Sequence, residues 1–259
     1  MLPTPQRTPP TTIGEVISAL TEIIESARAG ASRLGYFASL YRRVTQTVKD
    51  DIAAGKFQNG PLVERLDVVF ASRYLDAFAQ FQAGATPTQS WLTAFQTAAD
   101  PRPIILQQLL LGINAHINLD LGIATAAVAP GDQLPGIKPD FDRINDVLAT
   151  LVATVENELA EVSPSIHLLE EVGMRTESTI INFSLEKARA QAWATAQKFA
   201  GMPADRVPDA TVQLDGEVAL LADAVAHPLF GSIALDAIRI TETNDVRRVI
   251  DVLSTPAAA

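Results

Sequence analysis

The chain has 259 residues, 47% of them hydrophobic and 19% charged, with a formal net charge of −10. That is enough apolar material for a sizeable core and excludes a disordered chain, while the acidic balance (pI ≈ 4.8) argues against nucleic acid or an anionic membrane surface as partner. The complete lack of cysteine excludes disulfides, thiolate metal sites and cysteine nucleophiles, and fits a cytoplasmic setting.

Residues 1–11 are rich in proline and threonine, carry no apolar run, and are expected to be a flexible lead rather than a signal peptide. Thr12-Ile13-Gly14-Glu15 has the capping-box pattern and predicts a helix to about Ala29. A second helix is expected from about Ser32 to Ala54, with Tyr36, Leu40, Tyr41, Val44 and Val48 facing inward. Asn59-Gly60-Pro61 reads as a turn, with Pro61 opening a third helix to about Ala83. That helix carries Leu66, Asp67, Val69, Phe70, Arg73, Tyr74 and Phe78. A shorter helix with Trp91 and Phe95 follows, and Asp100-Pro101-Arg102-Pro103 then breaks the chain.

The stretch Ile104–Val128 has no proline and is apolar at most positions. A helix apolar all round is a buried one, so the polar residues Asn114, His116, Asn118 and Asp120 are carried into the core, where each is costly unless paired. At 3.6 residues per turn, His116 and Asp120 lie about 40° apart on one side, and Asn114 and Asn118 lie on the roughly opposite side.

A loop is expected over 129–139, with Asp140 capping a helix to about Val162. A short helix with His167, Glu170 and Glu171 should end at Gly173, and a long one should cover about Thr176 to Ala200. The last quarter, about 203–254, is less regular. It should hold a helix over about 210–226, a turn near Phe230 to Ile238, one possible strand at Ala234–Thr241 and a final helix over about 244–253. With no sustained period-two alternation, the expected fold is all-α: a single bundle over 12–254, of roughly eight to ten helices around a buried central helix, with 255–259 a tail.

Several constellations could carry chemistry. His116 and Asp120, one turn apart, could share a metal ion or act as a base and the group that orients it. The plainer reading of the four polar residues is a satisfied internal network. His167 with Glu170 and Glu171 has metal-ligand spacing, but a solvated acidic face is the better reading, and His227 before Pro228 reads as a helix C-terminal cap. Arg73, with Tyr74 beside it, needs a carboxylate if buried; Asp120, Asp67 and Asp140 are the candidates. Its functional reading is a grip on a substrate carboxylate or phosphate. Gly-x-Gly-x-x-Gly, Walker A, Gly-x-Ser-x-Gly and His-Glu-x-x-His patterns are all missing.

The run Gly112-Ile113-Asn114-Ala115-His116-Ile117-Asn118-Leu119-Asp120-Leu121-Gly122 resembles the signature of an uncharacterised, mostly bacterial family of helical proteins. Phe70-Ala71-Ser72-Arg73-Tyr74, Ser90-Trp91-x-x-Ala94-Phe95, Asp140-Phe141-x-x-Ile144-Asn145 and Ala188-Arg189-x-x-Ala192-Trp193 resemble it too. This resemblance supplies a site and no reaction, and marks Arg73, Asn114, His116, Asn118, Asp120, Asp140 and Asn145. Leu111-Gly112 with His116 and Asp120 is also similar to the His-x-x-x-Asp pattern of zinc-dependent phospholipases C and single-strand nucleases. Those enzymes use several more histidines; the three here leave at most a single-metal site.

The leading expectation is therefore a small-molecule enzyme running hydrolysis or proton transfer on a largely apolar substrate. His116, Asp120 and Arg73 would do the chemistry, with one divalent ion on His116 and Asp120 if a metal is used. Asn114, Asn118, Tyr74, Asp140 and Asn145 would contact substrate. The rival expectation is a non-catalytic helical protein that binds a lipid-like or secondary metabolite. Neither involves nucleic acid or a membrane span.

Overall fold

The computed structural model describes residues 8–169, 184–228 and 232–255. It is an all-α bundle, and among the described residues no strand occurs. Helix α1 (Ile13–Ala29) starts as its capping residues dictate: the Thr12 hydroxyl accepts the Glu15 N–H at 3.2 Å, and the Glu15 carboxylate accepts the Thr11 N–H at 2.6 Å. Helix α2 (Gly35–Ala53) packs back on α1. Helix α3 (Gly60–Gln82) is capped by the Asn59 side chain, with Pro61 in its first turn. Helix α4 (Gln89–Ala99) seats Trp91 and Phe95 in the core.

The central helix runs Ile105–Val128 in three parts. These are α5 (Ile105–Ile113), a π-helical segment (Asn114–Leu121) and α6 (Gly122–Val128). By length and composition it could cross a membrane, yet 89% of its most apolar window is buried inside the protein. Helices α2, α3 and α4 wrap it, together with α8 (Leu185–Ala200) and α9 (Val207–Ala226). A π segment bonds i→i+5, is rare, and is frequently found at functional sites. Here it lies between two glycines that permit close approach. A Cβ on Gly112 would stand 2.5 Å from the Phe37 ring, and one on Gly122 would stand 2.6 Å from the Ala192 carbonyl oxygen.

Helix α7 (Leu134–Val162) begins earlier than the Pro-Gly pairs predict. Leu134, Ile137 and Phe141 have helical spacing and are all buried, and this outweighs the one backbone bond lost at Pro139. Asp140 is thus not the N-cap of its own helix. It lies within α7 and closes a different one: its carboxylate accepts the Gln58 N–H at 2.7 Å and the Asn59 N–H at 2.8 Å, fixing the turn into α3. Two more buried acids act at similar range. Asp215 on α9 accepts the Gln89 and Ser90 N–H groups at the start of α4. Glu242 accepts the Ile105 N–H at the start of the central helix and the Ser163 hydroxyl.

The stretch considered as a strand is helix α10 (Ser232–Thr241), because Leu235 and Ile238 point inward at helical spacing. Helix α11 (Val246–Ser254), capped by Asp245, buries Val249, Ile250 and Leu253 against α1 and α2. The expected helix start at Thr176, with Glu170, Glu171, Gly173 and Phe230, lies outside the described residues.

Candidate functional site

The π segment carries all four predicted polar residues, but it does not gather them into one site. Asn114 donates to the Val218 carbonyl on α9 at 3.0 Å, and Asn118 donates to the Asn114 side-chain oxygen at 2.8 Å. Asn114 fastens the central helix to α9, and Asn118 braces Asn114 from within the same segment. Asn114 is fully buried, so its amide has no route to a ligand.

Asp120 faces α3 and α4. One carboxylate oxygen accepts the Arg73 Nε–H at 2.6 Å, and the other accepts the Trp91 indole N–H at 2.8 Å. Of the three candidate partners for Arg73, the structure selects Asp120. Burial pushes the Asp120 carboxyl up, against the pull of Arg73 and the indole. With Thr88 and Gln80 these residues border a small polar pocket of about 220 Å³.

His116 points elsewhere. Its ring stacks on Phe70, with centroids 3.6 Å apart and an interplanar angle of 13°. Tyr41 meets it edge-on at 4.3 Å and Phe37 at 5.5 Å. Tyr74 lies further off, at 6.5 Å, and packs mainly on Phe37 and Trp91. Among the described residues neither His116 nitrogen has a hydrogen-bond partner. Asp120 therefore does not orient it, and the predicted pair is not formed. Burial, aided by the positive charge of Arg73, holds the imidazole well below its usual pKa, so it is neutral.

The donor set does not fit a divalent ion. Asp120 is committed to a guanidinium and an indole, His116 is enclosed by aromatic rings, and among the described residues no three His, Asp or Glu side chains converge. His167 and His227 are exposed. The first lies 3.2 Å from the Pro164 carbonyl, and the second lies at the end of α9, 3.1 Å from Asp223.

His116 opens onto a cavity of about 350 Å³ between α2, α3, the central helix, α7 and α8. Among the described residues its wall is apolar apart from Tyr41, His116 and Arg189, and includes Leu40, Val44, Leu109, Ile113, Ile144 and Leu148. Asn145, expected to touch substrate, instead accepts a hydrogen bond from Arg189, whose guanidinium also donates to the Phe141 carbonyl and lies 4.4 Å from the centroid of the Phe141 ring. Burial lowers the Arg189 pKa to about 10, which leaves it charged.

Sequence reasoning did not single out Arg189 or Phe37 as part of a site, and it named Asp67 only as a partner for Arg73. Asp67 is buried on α3, with one carboxylate oxygen unpaired and its pKa pushed up to about 8, by burial first and Glu64 second. The one available signal was its position one residue after Leu66, in the inward stripe of α3.

No curated protein and no solved structure matches the chain. A family model described as "Family of unknown function (DUF5995)" matches residues 13–228. That span takes in α1 to α9 and every residue lining the His116 cavity, and the chain belongs to this family.

Proposed function

We propose that the protein binds a small, largely apolar molecule in the His116 cavity. The observation that carries this reading is an apolar-walled cavity of about 350 Å³ in the interior of the bundle, bordered by the His116 ring. That volume lies within the range of about 300–1,000 Å³ usual for small-molecule pockets. The pocket at Arg73 and Asp120 fits this role less well, because its charged groups are already paired with each other.

The test is equilibrium binding of an uncharged apolar fluorophore, N-phenyl-1-naphthylamine, to the full chain and to an Ile144→Trp variant that fills the cavity. Binding to the parent, weakened by about tenfold or more in the folded variant, is the expected result. Equal binding by both would place the fluorophore elsewhere and remove the proposal.

A further inference from the structure

The wall of the His116 cavity carries one charged side chain. Among the described lining residues only Tyr41, His116 and Arg189 have polar side-chain atoms. The Tyr41 hydroxyl and both His116 nitrogens are sealed within the surrounding packing. Arg189 therefore supplies the polar part of the wall.

Arg189 is 3% exposed and yet charged. Among the described residues it has no carboxylate partner, and both of its hydrogen bonds go to neutral acceptors. Its Nε–H donates to the Asn145 side-chain oxygen, and its Nη2–H donates to the Phe141 carbonyl. Asp142, the acid whose field reaches it, is itself held by Lys138. A guanidinium taken out of water without a counter-charge is unfavourable, and an anion beside it offsets that cost.

The same contacts fix how the group is presented. Asn145 and Phe141 on α7 hold the guanidinium of α8 by one edge, and the Phe141 ring lies 4.4 Å from its centre. A guanidinium has five N–H donors. The two bonds described use one on Nε and one on Nη2, so Nη1 and the second Nη2–H have no acceptor among the described residues. Nη1 and Nη2 together form the fork that a carboxylate meets with both oxygens.

We propose that the ligand is an apolar chain ending in a single carboxylate, paired with Arg189 while the chain lies against Leu109, Ile113 and Ile144. This rests on the ligand-binding reading of the cavity and adds a head group to it. One guanidinium balances one negative charge. A doubly charged phosphate monoester would bring a second charge against walls that, among the described lining residues, hold no other cation.

The experiment is displacement of N-phenyl-1-naphthylamine from the full chain at pH 8 by decanoate, 2-decanone and decyl phosphate, which differ in the head group. Decanoate should displace the fluorophore at concentrations about tenfold lower than 2-decanone, and decyl phosphate should be the weaker of the two anions. Arg189→Met keeps a long apolar side chain and removes the charge. In that variant, with the fold checked by circular dichroism, the preference for decanoate over 2-decanone should fall from about tenfold to about one. In the parent, 2-decanone as effective as decanoate, or decyl phosphate more effective than decanoate, would overturn the inference without recourse to any variant. A tenfold preference kept by folded Arg189→Met protein would place the carboxylate elsewhere and overturn it too. In those cases the fluorophore still binds and the apolar-cavity reading stands. A parent protein that does not bind the fluorophore removes both.

Discussion

The imidazole of His116 lies flat on the ring of Phe70, with centroids 3.6 Å apart. The contact joins the π segment to α3, and among the described residues neither ring nitrogen has a hydrogen bond, so the histidine is held by ring packing.

Acid should therefore destabilise the fold through this residue. The folded pKa lies well below the unfolded value near 6.5, so nothing is lost above that value. Below it the unfolded chain takes up a proton that the folded chain refuses, and stability falls by up to about 1.4 kcal/mol per pH unit. Urea unfolding at pH 7 and pH 5 should show this as a difference, the parent losing stability relative to His116→Phe as the pH falls. Identical slopes would mean the ring is protonated in place.

Asp67 predicts the opposite dependence. Its folded pKa is about 8, above the ordinary value near 3.8, so the stability it contributes is complete at low pH. That contribution is lost as pH rises from about 4 to 8, where the unfolded chain is ionised and the folded one still protonated. Asp67→Asn mimics the protonated acid. It should unfold at higher urea than the parent at pH 8, with the difference shrinking towards pH 5. A variant less stable than the parent at pH 8 would show that Asp67 is ionised and paired.

Asp120→Ala should remove two hydrogen bonds at once and strand the Trp91 indole and the Arg73 guanidinium. Arg73 is 28% exposed and can turn to water, so the expected loss is about 2–3 kcal/mol, below the value for a fully buried pair. Fluorophore binding at the His116 cavity should hold within about twofold, because the two polar centres use different walls of the central helix. A parallel loss of stability and affinity would join them into one site.

Gly122→Ala reverses the usual sign of a helix substitution. In an exposed helix interior alanine is better than glycine by about 0.8–1.0 kcal/mol. Here its Cβ would stand 2.6 Å from the Ala192 carbonyl and close to Thr195, and backbone cannot rotate away. Chemical denaturation should show a net loss of about 1–3 kcal/mol. A gain would show that α8 can slide outward freely.

Much of the fold was legible because helix ends are written in local chemistry: Thr12 with Glu15, and Asn59 ahead of Pro61, mark starts where the structure has them. The burial of the central helix was legible from its apolar circumference. The π geometry was not, since it depends on what packs against Gly112 and Gly122 from distant helices. For the same reason the sequence paired His116 with Asp120. Spacing along one helix reports a shared face, but Arg73 and Trp91 on two other helices decide where the carboxylate goes. The last quarter misled because the stretch considered as a strand, Ala234–Thr241, buries Leu235 and Ile238 at helical spacing while Ile240 is exposed.

The carboxylates of Asp140, Asp215 and Glu242 tie helix starts to distant parts of the chain. Helices α3, α4 and α5 come early in the chain, yet the groups that complete their first turns reside on segments synthesised later. Glu242 lies beyond residue 228, where the family match ends. A chain stopped there would leave the Ile105 amide without its acceptor and let the buried axis fray from its first turn.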